Sequence, residues 1–306
     1  MKVYATMNLK KSISLVMVTY NSFPFFKDSI EYLNKFIYDI DLEIIVVDND
    51  SKDINTHNYL DKLKSLNNES IKVIKLTKNT GYSVAMNVGM NYAKHEFILC
   101  FNNDIYVDEN SNEAFVTMYN LLNENMEIGA ISPLFVKEDK TPDLNYVVKA
   151  NPINAITGRL TRIFSNRSKH DEENALNPDA KGCATVDILS GQFFIMRKSI
   201  YFNIVGGFDT RYFLYSSDWD ISRTLKFHGL KSIIYTKATL THGVGKSTSR
   251  ARFLATFDIY KSFAQYLLKW EIFPFIRFLF YRLLFTLPAL TEITLRSFKN
   301  NKNVSD

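Results

Sequence analysis

Polar side chains that could hold a metal ion and phosphate groups recur at four points of the sequence, each directly after an apolar run. The four clusters are Thr19-Tyr20-Asn21, Asp48-Asn49-Asp50, Asn79-Thr80-Gly81 and Asn102-Asn103-Asp104. Carboxylate and amide oxygens are the ligands that hard divalent cations prefer, and such a cation in turn binds the oxygens of a diphosphate. The clusters therefore predict a site for a metal ion and a diphosphate.

The segments between the clusters predict the sheet that must position them. Apolar runs typical of buried strands cover 13–19, 42–47, 71–76 and 96–101, and helical patterns cover 22–38, the stretch up to 66, and 81–93. Ser51 or Asp53 is expected to cap the second helix. Because strands and helices alternate with short connections, the sheet should be mostly parallel. Ligands bind beyond the carboxyl ends of such strands, so all four clusters are expected at one edge.

Composition and missing motifs disfavour several classes of protein. The 306 residues are 46% apolar and carry a net charge of +5, which is too small to argue for nucleic acid. No GxGxxG follows the first strand and no GxxxxGKS/T occurs, so dinucleotide oxidoreductases and P-loop NTPases are disfavoured. Cys100 and Cys183 predict reduced thiols of a cytoplasmic protein, and residues 1–12 lack the apolar stretch of a signal peptide.

The second half of the chain departs from the regular alternation of strand and helix. Residues 138–183 are polar and carry three of the seven prolines, which is typical of a functional or mobile loop. A strand pattern resumes at Asp187–Arg197, around Ser190-Gly191-Gln192. A helix is predicted for Asp218–Phe227, and Gly229 is expected to end it.

The C-terminal tail is basic, aromatic and helical by pattern. Residues 246–306 contain ten Lys/Arg and four Asp/Glu, whereas the rest of the chain has 27 and 28. Arg277 and Arg282 interrupt the apolar segment 271–290, so a membrane span is disfavoured. The pattern favours an amphipathic segment on an anionic membrane surface. The alternative is a helix packed on the core or on a partner subunit, which leaves a homo-oligomer open.

Taken in order along the chain, these clusters and four later motifs resemble an inverting family 2 glycosyltransferase. The motifs are Val18-Thr19-Tyr20-Asn21, Val46-Val47-Asp48-Asn49-Asp50-Ser51, Asn79-Thr80-Gly81-Tyr82 with Asn87-Val88-Gly89, Phe101-Asn102-Asn103-Asp104, Leu189-Ser190-Gly191, Gly206-Gly207-Phe208-Asp209, Ser217-Asp218-Trp219-Asp220 and His242-Gly243-Val244-Gly245-Lys246-Ser247. The closest resemblance is to the rhamnosyltransferase-like group of bacterial surface-polysaccharide synthesis. It covers residues 13–247, most of the chain.

The resemblance implies an α/β protein of the GT-A fold, with a mostly parallel Rossmann-like sheet, flanking helices and a C-terminal helical amphipathic tail. Residues 1–247 would form the glycosyltransferase domain. Within it, 12–110 would bind the nucleotide sugar and 138–247 would carry the acceptor and catalytic half. Residues 248–306 would form the basic, aromatic tail and associate with a membrane.

The resemblance assigns the donor nucleotide to side chains at the sheet edge. The assigned residues are Thr19, Tyr20, Asn21, Asp48, Asn79, Gly81, Tyr82, Asn87, Asn102, Asn103 and Lys246. Asp48 is expected on the nucleobase, and Gly81 is expected where the backbone passes close to the nucleotide. Simpler alternatives are a helix cap for Asp48 and a turn for Asn79.

The resemblance also implies a divalent metal. Asp104 matches the chief carboxylate ligand of Mg2+ or Mn2+, although the two positions before it are amides. One carboxylate, together with phosphate oxygens and water, suffices for Mg2+. His242 resembles a histidine that in some relatives joins the metal or the diphosphate. The alternatives are a hairpin turn at Asp104 and a structural role for His242.

Asp218 matches the catalytic base of the family, which takes the proton of the acceptor hydroxyl. The family has an acidic pair here, but Ser217 replaces the first acid, so the pKa of Asp218 is expected to be close to normal. The alternative is a helix-capping Asp218, with Asp220 carrying the chemistry. If Asp218 is the base, Asp220 is expected to support the site through Arg223.

Ser190 and Gly191 are expected to shape the acceptor site, and Trp219 either stacks on sugar or packs in the core. The implied reaction moves a sugar, best matched by L-rhamnose from dTDP-rhamnose, to a hydroxyl of a lipid-linked glycan at the cytoplasmic face of the membrane. UDP-hexose, UDP-galactofuranose and UDP-N-acetylhexosamine donors suit the same pattern. A catalytically silent scaffold and a nucleotide-sugar hydrolase are the rival functions.

Overall fold

The computed structural model describes residues 10–150, 175–243, 252–270, 282–292 and 294. Lys246 and the predicted domain boundary at 247/248 lie outside these ranges, as does most of the apolar segment 271–290.

The described ranges contain strands and helices in alternation through the first half, as predicted. The strands are β1 (Ser12–Thr19), β2 (Asp41–Asp48), β3 (Ile71–Lys75), β4 (Phe97–Phe101), β5 (Ile105–Tyr106), β6 (Ile128–Lys137), β7 (Pro142–Asp143), β8 (Tyr146–Val147), β9 (Cys183–Val186), β10 (Ile188–Leu189), β11 (Phe193–Arg197) and β12 (Lys231–His242). The helices are α1 (Phe25–Phe36), α2 (Ile54–Ser65), α3 (Tyr82–Met90), α4 (Ser111–Glu124), α5 (Ser217–Phe227) and α6 (Arg252–Trp270). Short helical turns follow β11 at Lys198–Ile200 and Tyr201–Val205, and residues 282–292 form a terminal helix.

The main sheet has the strand order β3-β2-β1-β4-β11-β6-β12-β5 in the described part of the chain. β3, β2, β1 and β4 run parallel, as predicted. β11 is antiparallel to both β4 and β6, so the second half is mixed rather than mostly parallel. This reversal makes β11 begin where β4 ends, with Phe193 opposite Phe101. The residues just before β11 therefore lie at the same sheet edge as the four polar clusters.

Helices cover both faces of the sheet, which explains why the central strands are apolar on both sides. In β1, Leu15 and Met17 face the core that contains α1, α2 and α4, whereas Val16 and Val18 face the core that contains α3 and α5. A strand buried in this way has no solvent-facing side that could tolerate polar residues. The few polar residues inside β1 and β2 are paired, as Ser14 is with Glu43, and the polar clusters lie at the strand ends.

The polar segment 138–183 is not a loop throughout. β7 extends the edge of β6, β8 pairs with β10, and β9 pairs with β12. These pairings use backbone groups, which amino-acid composition does not reveal. Residues 151–174 lie outside the described ranges.

The described part of the tail packs on the domain through an aromatic cluster. Tyr260, Phe263 and Tyr266 of α6 are buried together with Tyr212, and Phe285 of the terminal helix joins them. The alternative of a helix packed on the core therefore holds for α6. In the terminal helix, by contrast, most of the leucines are exposed. Among the residues that the structure describes, no helix is both long enough and apolar enough to cross a bilayer.

Candidate active site

Hydrogen bonds join the polar clusters into one layer at the carboxyl edge of the parallel strands, as the strand order predicts. The Asn21 Oδ1 accepts hydrogen bonds from the backbone N–H groups of Lys52 and Asp53, at 2.6 and 3.1 Å. The Asn103 Nδ2 donates to the Val18 carbonyl at 2.8 Å. The loops after β1, β2 and β4 are thus connected through asparagine side chains.

Asn49, to which the sequence assigned no individual role, holds the loop after β3. Its Nδ2 donates to the Asn79 Oδ1 at 3.0 Å and to the Gly81 carbonyl at 3.3 Å. Its Oδ1 accepts from the backbone N–H and the hydroxyl of Thr80, and the residue is 3% exposed. Asn79 also accepts from the Gly81 N–H at 3.0 Å, the contact expected of the turn-forming alternative. The only sequence signal for Asn49 is its place beside Asp48.

Three residues predicted to contact the donor are engaged by the protein itself. Thr19 is fully buried, with its hydroxyl 2.6 Å from the Ser22 Oγ, and Asn103 also donates to that atom at 2.9 Å. Asn87 binds both backbone groups of Phe208, at 2.7 and 2.8 Å. These polar groups support neighbouring loops, and their contact with the donor stays a prediction.

Asp48 and Tyr20 lie next to each other at the ends of β2 and β1, where the nucleotide was predicted. Thr19 pairs with Asp48 in the sheet, so Tyr20 follows at the edge, where it is 42% exposed. The Asp48 Oδ1 accepts from the Ser51 N–H at 3.1 Å. Asp53 caps α2 by accepting from the N–H groups of Asn55 and Thr56. The helix-cap alternative for Asp48 is therefore wrong.

The protein's own chain requires glycine at position 81, and the close approach of a nucleotide there stays a prediction. Its φ is +82°, a conformation that favours glycine, and an added Cβ would lie 2.6 Å from the Phe213 carbonyl oxygen. The next residue, Tyr82, donates its backbone N–H to the same carbonyl at 2.6 Å. The loop after β3 is thereby fixed to the loop that precedes α5.

The Tyr82 hydroxyl lies between the metal motif and the loop before β11. It lies within hydrogen-bond distance of the Asn102 Oδ1 at 3.2 Å and of the Gly191 carbonyl at 3.0 Å, and Cys100 Sγ is 3.0 Å away. Burial raises the pKa of Tyr82 well above its ordinary value, so the hydroxyl stays a neutral donor. Burial also raises the pKa of Cys100 to about 12, which keeps this thiol unreactive.

Asp218, the predicted base, lies in the first turn of α5 against Gly191. Its Oδ2 accepts from the Gly191 N–H at 3.3 Å, and its Oδ1 accepts from the Trp219 N–H at 2.9 Å. The residue as a whole is half-buried. Burial raises the pKa of Asp218 above its usual value, and the two N–H groups oppose this only in part. The expectation of a near-normal pKa is wrong, because it considered only the sequence neighbour Ser217.

Asp104 and His242 meet because β12 pairs with β5 next to the metal motif. His242 lies opposite Ile105, and the Gly243 N–H donates to the Asp104 carbonyl at 2.8 Å. The His242 Nε2 is 3.3 Å from the Asp104 Oδ1, and both side chains are 7% exposed. Burial lowers the pKa of His242, but hydrogen bonds to Asp104 and Asp143 outweigh it and raise the pKa to about 9.

These two residues fit a divalent cation. Apart from the His242 Nε2 at 3.3 Å, no hydrogen-bond donor among the described residues reaches the buried Asp104 Oδ1, so this oxygen keeps a lone pair for a cation at the position where a metal ligand is predicted. Among the residues described, no three His, Cys, Asp or Glu side chains form a ligand set for a metal ion. Asp104 and His242 would hold Mg2+ or Mn2+ only together with phosphate oxygens and water, which is acceptable chemistry for either ion.

The residues around Asp218 contact the tail more than predicted. Asp220 accepts from the Lys269 Nζ at 2.6 Å and from the Trp270 Nε1 at 2.8 Å, rather than from Arg223. Trp219 is partly buried and packs edge-to-face on Phe263, which is the packing alternative for this residue. Asp220 and Trp219 therefore anchor α5 to α6.

Ser190 lies beside Gly191 at the sheet edge and is half-buried. Its backbone N–H donates to the Asn145 carbonyl at 2.7 Å. Gln192, the next residue but one, has its Oε1 buried without a hydrogen-bond partner. The 190–192 segment thus lies between Asp218 and His242, whose Nδ1 is 3.4 Å from the Gln192 Nε2.

Solved structures share this GT-A-like α/β fold at low sequence identity. The structure of GalNAc-T7 with UDP, GalNAc and Mn2+ aligns at 15% identity with a TM-score of 0.59, over 84% of this chain and 48% of that chain. The mannosyltransferase PcManGT from Pyrobaculum calidifontis, in complex with GDP-Man and Mn2+, aligns at 16% identity and 0.55, over 93% and 74%. S. aureus TarS 1-349 in complex with UDP aligns at 14% and 0.51, over 86% and 67%. The chain thus spans about half the length of the first of these.

No curated protein sequence matches the chain. A family model does: that of Glycosyl transferase family 2 matches residues 14–201, more than half of the chain. The match includes all four polar clusters and the 190–192 segment, and it ends before Asp218 and His242. The likeness in fold and the order of the motifs agree with it. The chain belongs to glycosyl transferase family 2.

Proposed function

We propose that the protein is an inverting, metal-dependent glycosyltransferase that moves a sugar from a nucleotide donor to an acceptor hydroxyl. One arrangement carries this proposal: the Asp104–His242 pair and the Asp218 carboxylate flank the 190–192 segment at one sheet edge. The Tyr82 hydroxyl links the two sides, because it contacts Asn102, two residues before Asp104, and the carbonyl of Gly191, whose N–H donates to Asp218. Two of the structural neighbours contain Mn2+ together with a nucleotide or nucleotide sugar.

In the proposed reaction, Asp218 accepts the proton of the acceptor hydroxyl while the oxygen of that hydroxyl forms a bond to the anomeric carbon. The bond from that carbon to the nucleotide diphosphate breaks on the opposite face, so the configuration inverts. A raised pKa makes the Asp218 carboxylate a stronger base than an ordinary aspartate. The metal ion supplies charge stabilisation of the leaving diphosphate.

For the donor, we propose dTDP-L-rhamnose, on the resemblance of the motifs to the rhamnosyltransferase-like group. UDP-hexose, UDP-galactofuranose and UDP-N-acetylhexosamine are the alternatives, because the same motifs suit each of these donors. The Ser190–Gly191 segment beside Asp218 would bind the acceptor, for which we propose a lipid-linked glycan of surface-polysaccharide synthesis.

We further propose that the terminal helix lies on the cytoplasmic face of a membrane. Leu283, Leu287 and Leu290 occupy one helix face at spacings of four and three, and they are 65%, 63% and 59% exposed. Phe285 and Ala289 on the opposite face are buried against the domain. The surrounding excess of Lys and Arg suits anionic lipid headgroups.

Flotation with phosphatidylglycerol vesicles tests the membrane proposal. Leu283→Gln, Leu287→Gln and Leu290→Gln combined should abolish flotation of the full chain. The combined control Ile54→Gln, Leu66→Gln and Leu144→Gln removes equally exposed apolar side chains elsewhere and should leave it intact. Equal flotation of both variants would overturn the assignment.

Calorimetry with a donor panel tests the enzymatic proposal. The panel contains dTDP-rhamnose, UDP-hexoses and UDP-N-acetylhexosamines, each titrated with and without Mn2+ into wild type and Asp104→Ala. Metal-dependent binding of one donor, lost in Asp104→Ala, is the expected result and identifies the sugar. If no donor binds, the result would favour the second candidate, a catalytically silent scaffold. The presence of Ser217 in place of the family's first acid supports that candidate.

A further inference from the structure

His242 has a carboxylate beside each of its two ring nitrogens. On one side, the Nε2 lies 3.3 Å from the Asp104 Oδ1. On the other side, the Nδ1 lies 2.7 Å from the Asp143 Oδ2. Asp143 belongs to β7, which pairs with β6 so that Asp143 lies opposite Phe135. The second carboxylate therefore reaches the ring from an element that contributes nothing else to the predicted metal site.

The contact between Asp143 and His242 is shielded from water. The histidine side chain is 7% exposed and the Asp143 side chain is 18% exposed, so solvent competes little for either group. The Phe135 ring packs edge-on against the imidazole at 6.1 Å between centroids. A short hydrogen bond to a carboxylate in such surroundings is stronger than one at the surface.

Asp143 is the better acceptor for a proton on the Nδ1. The other polar group beside this nitrogen is the Gln192 Nε2, at 3.4 Å, and an amide nitrogen only donates hydrogen bonds. With the carboxylate accepting the Nδ1 proton, the Nε2 is the nitrogen that would give up its proton to a bound cation. The Nε2 is the nitrogen that faces Asp104 and hence the proposed cation.

We propose that Asp143 is a positioning residue for the metal: it fixes the orientation and tautomer of His242, so that the Nε2 is presented beside Asp104. Histidines that ligate metals commonly donate their other N–H to a carboxylate, and losing that partner weakens metal affinity about 10- to 100-fold. The inference rests on the proposed function, which assigns the cation to Asp104 and His242. It adds a third element, β7, to the site.

The Mn2+ dissociation constant of the full chain tests this role without requiring turnover. Free Mn2+ is measured by electron paramagnetic resonance in the presence of UDP and, in parallel, dTDP. Asp143→Ala removes the acceptor and should weaken Mn2+ binding about 10- to 100-fold. Asp143→Asn keeps an acceptor oxygen but removes the charge, so its affinity should lie between that of Asp143→Ala and that of wild type.

Asp139→Ala is the matched control for damage to the hairpin. Asp139 lies in the turn between β6 and β7, where its Oδ1 accepts from the N–H and hydroxyl of Thr141 rather than from His242. This variant should loosen the hairpin yet bind Mn2+ within about twofold of wild type. Equal losses in Asp139→Ala and Asp143→Ala would overturn the proposal in favour of a structural role.

Asp104→Ala separates the proposal from the function on which it rests. If this variant loses Mn2+ while Asp143→Ala binds as wild type does, the metal site stands and the role of Asp143 is wrong. If Asp104→Ala keeps Mn2+, the metal site itself is wrong. Nitrogen coupling to bound Mn2+, detected by electron spin echo spectroscopy, should be present in wild type and weakened in Asp143→Ala. Unchanged coupling in Asp143→Ala would overturn the positioning role.

Discussion

Two neighbouring groups of polar residues differ in how far the protein itself satisfies their polar atoms. The first, the amide layer, consists of Asn21, Asn49, Asn79 and Asn103, whose side chains bind backbone groups and one another. The second, the acid group, consists of Asp104, Asp218, His242 and Gln192. In the acid group the Gln192 Oε1 is buried without a hydrogen-bond donor, and the buried Asp104 Oδ1 has the His242 Nε2 beside it at 3.3 Å but no closer donor among the described residues.

The difference separates scaffold from site. A buried polar atom without a full set of partners costs about 1–3 kcal/mol, so a ligand bound to these oxygens of the acid group would offset that cost. The amide layer, by contrast, needs no ligand to satisfy it. Substitutions in the amide layer should therefore lower stability, whereas substitutions in the acid group should lower activity and leave stability unchanged or higher.

Asp218→Asn should give the largest effect and leave the fold intact. Losing a general base costs about 10²- to 10⁴-fold in rate, while asparagine still accepts the N–H groups of Gly191 and Trp219. Initial rates with the donor chosen by calorimetry, together with the thermal midpoint, measure both effects. Asp61→Asn, the same charge change at an exposed position, should retain full activity. A rate for Asp218→Asn within tenfold of wild type would place the base elsewhere.

Asn49→Ala should show the opposite pattern. It leaves the Thr80 N–H and the other partners of a buried amide unsatisfied, so the free energy of unfolding should fall by about 2–3 kcal/mol. Urea titration measures the loss. Asn34→Ala, on the exposed side of α1, should stay within about 0.5 kcal/mol of wild type. If Asn49→Ala kept its stability and lost donor binding, the amide layer would be part of the site.

The pH dependence of stability sharpens the comparison, because burial raises the pKa of Asp218. A carboxyl whose pKa is higher in the folded than in the unfolded state favours folding only while it is protonated. Its contribution therefore falls as the pH rises from about 4 through the folded pKa. An asparagine side chain does not titrate, so we expect Asp218→Asn to be more stable than wild type at pH 8 and to lose this advantage towards pH 4. Urea titrations at several pH values measure it, and a constant difference would contradict a raised pKa.

The sequence predicts the first half of the fold well because its information is local. The run 13–19 predicts β1 to within one residue, and 81–93 predicts α3 with ends that are too long. Periodicity and apolar content are properties of consecutive residues, and here both follow burial by the sheet. The single edge for all polar clusters follows from topology alone.

The parts that sequence did not predict depend on distant contacts. The sequence does not reveal that the space beside the Gly81 Cα is taken by Phe213, more than 130 positions later. The pKa of Asp218 is raised by burial in the folded chain, against the lowering effect of the Trp219 and Gly191 N–H groups, and the neighbour Ser217 does not reveal that burial. Asn49 and Asp143 are ordinary polar residues of loop-like segments until their partners are known.

Asp258→Ala should have the smallest effect. It tests whether the acid group depends on α6, which lies outside residues 14–201 that the family model matches. The Asp258 Oδ2 on α6 accepts from the N–H groups of Leu214 and Tyr215, at 3.1 and 3.3 Å, just before α5 and Asp218. Both bonds are long and the loop is partly exposed, so we expect a loss of about 1 kcal/mol in the free energy of unfolding. The rate should fall severalfold, because the loop that sets the position of Asp218 loosens. Asp258→Asn keeps an acceptor and should restore most of the rate; equal rates in Asp258→Ala and wild type would mean that the domain positions Asp218 without α6.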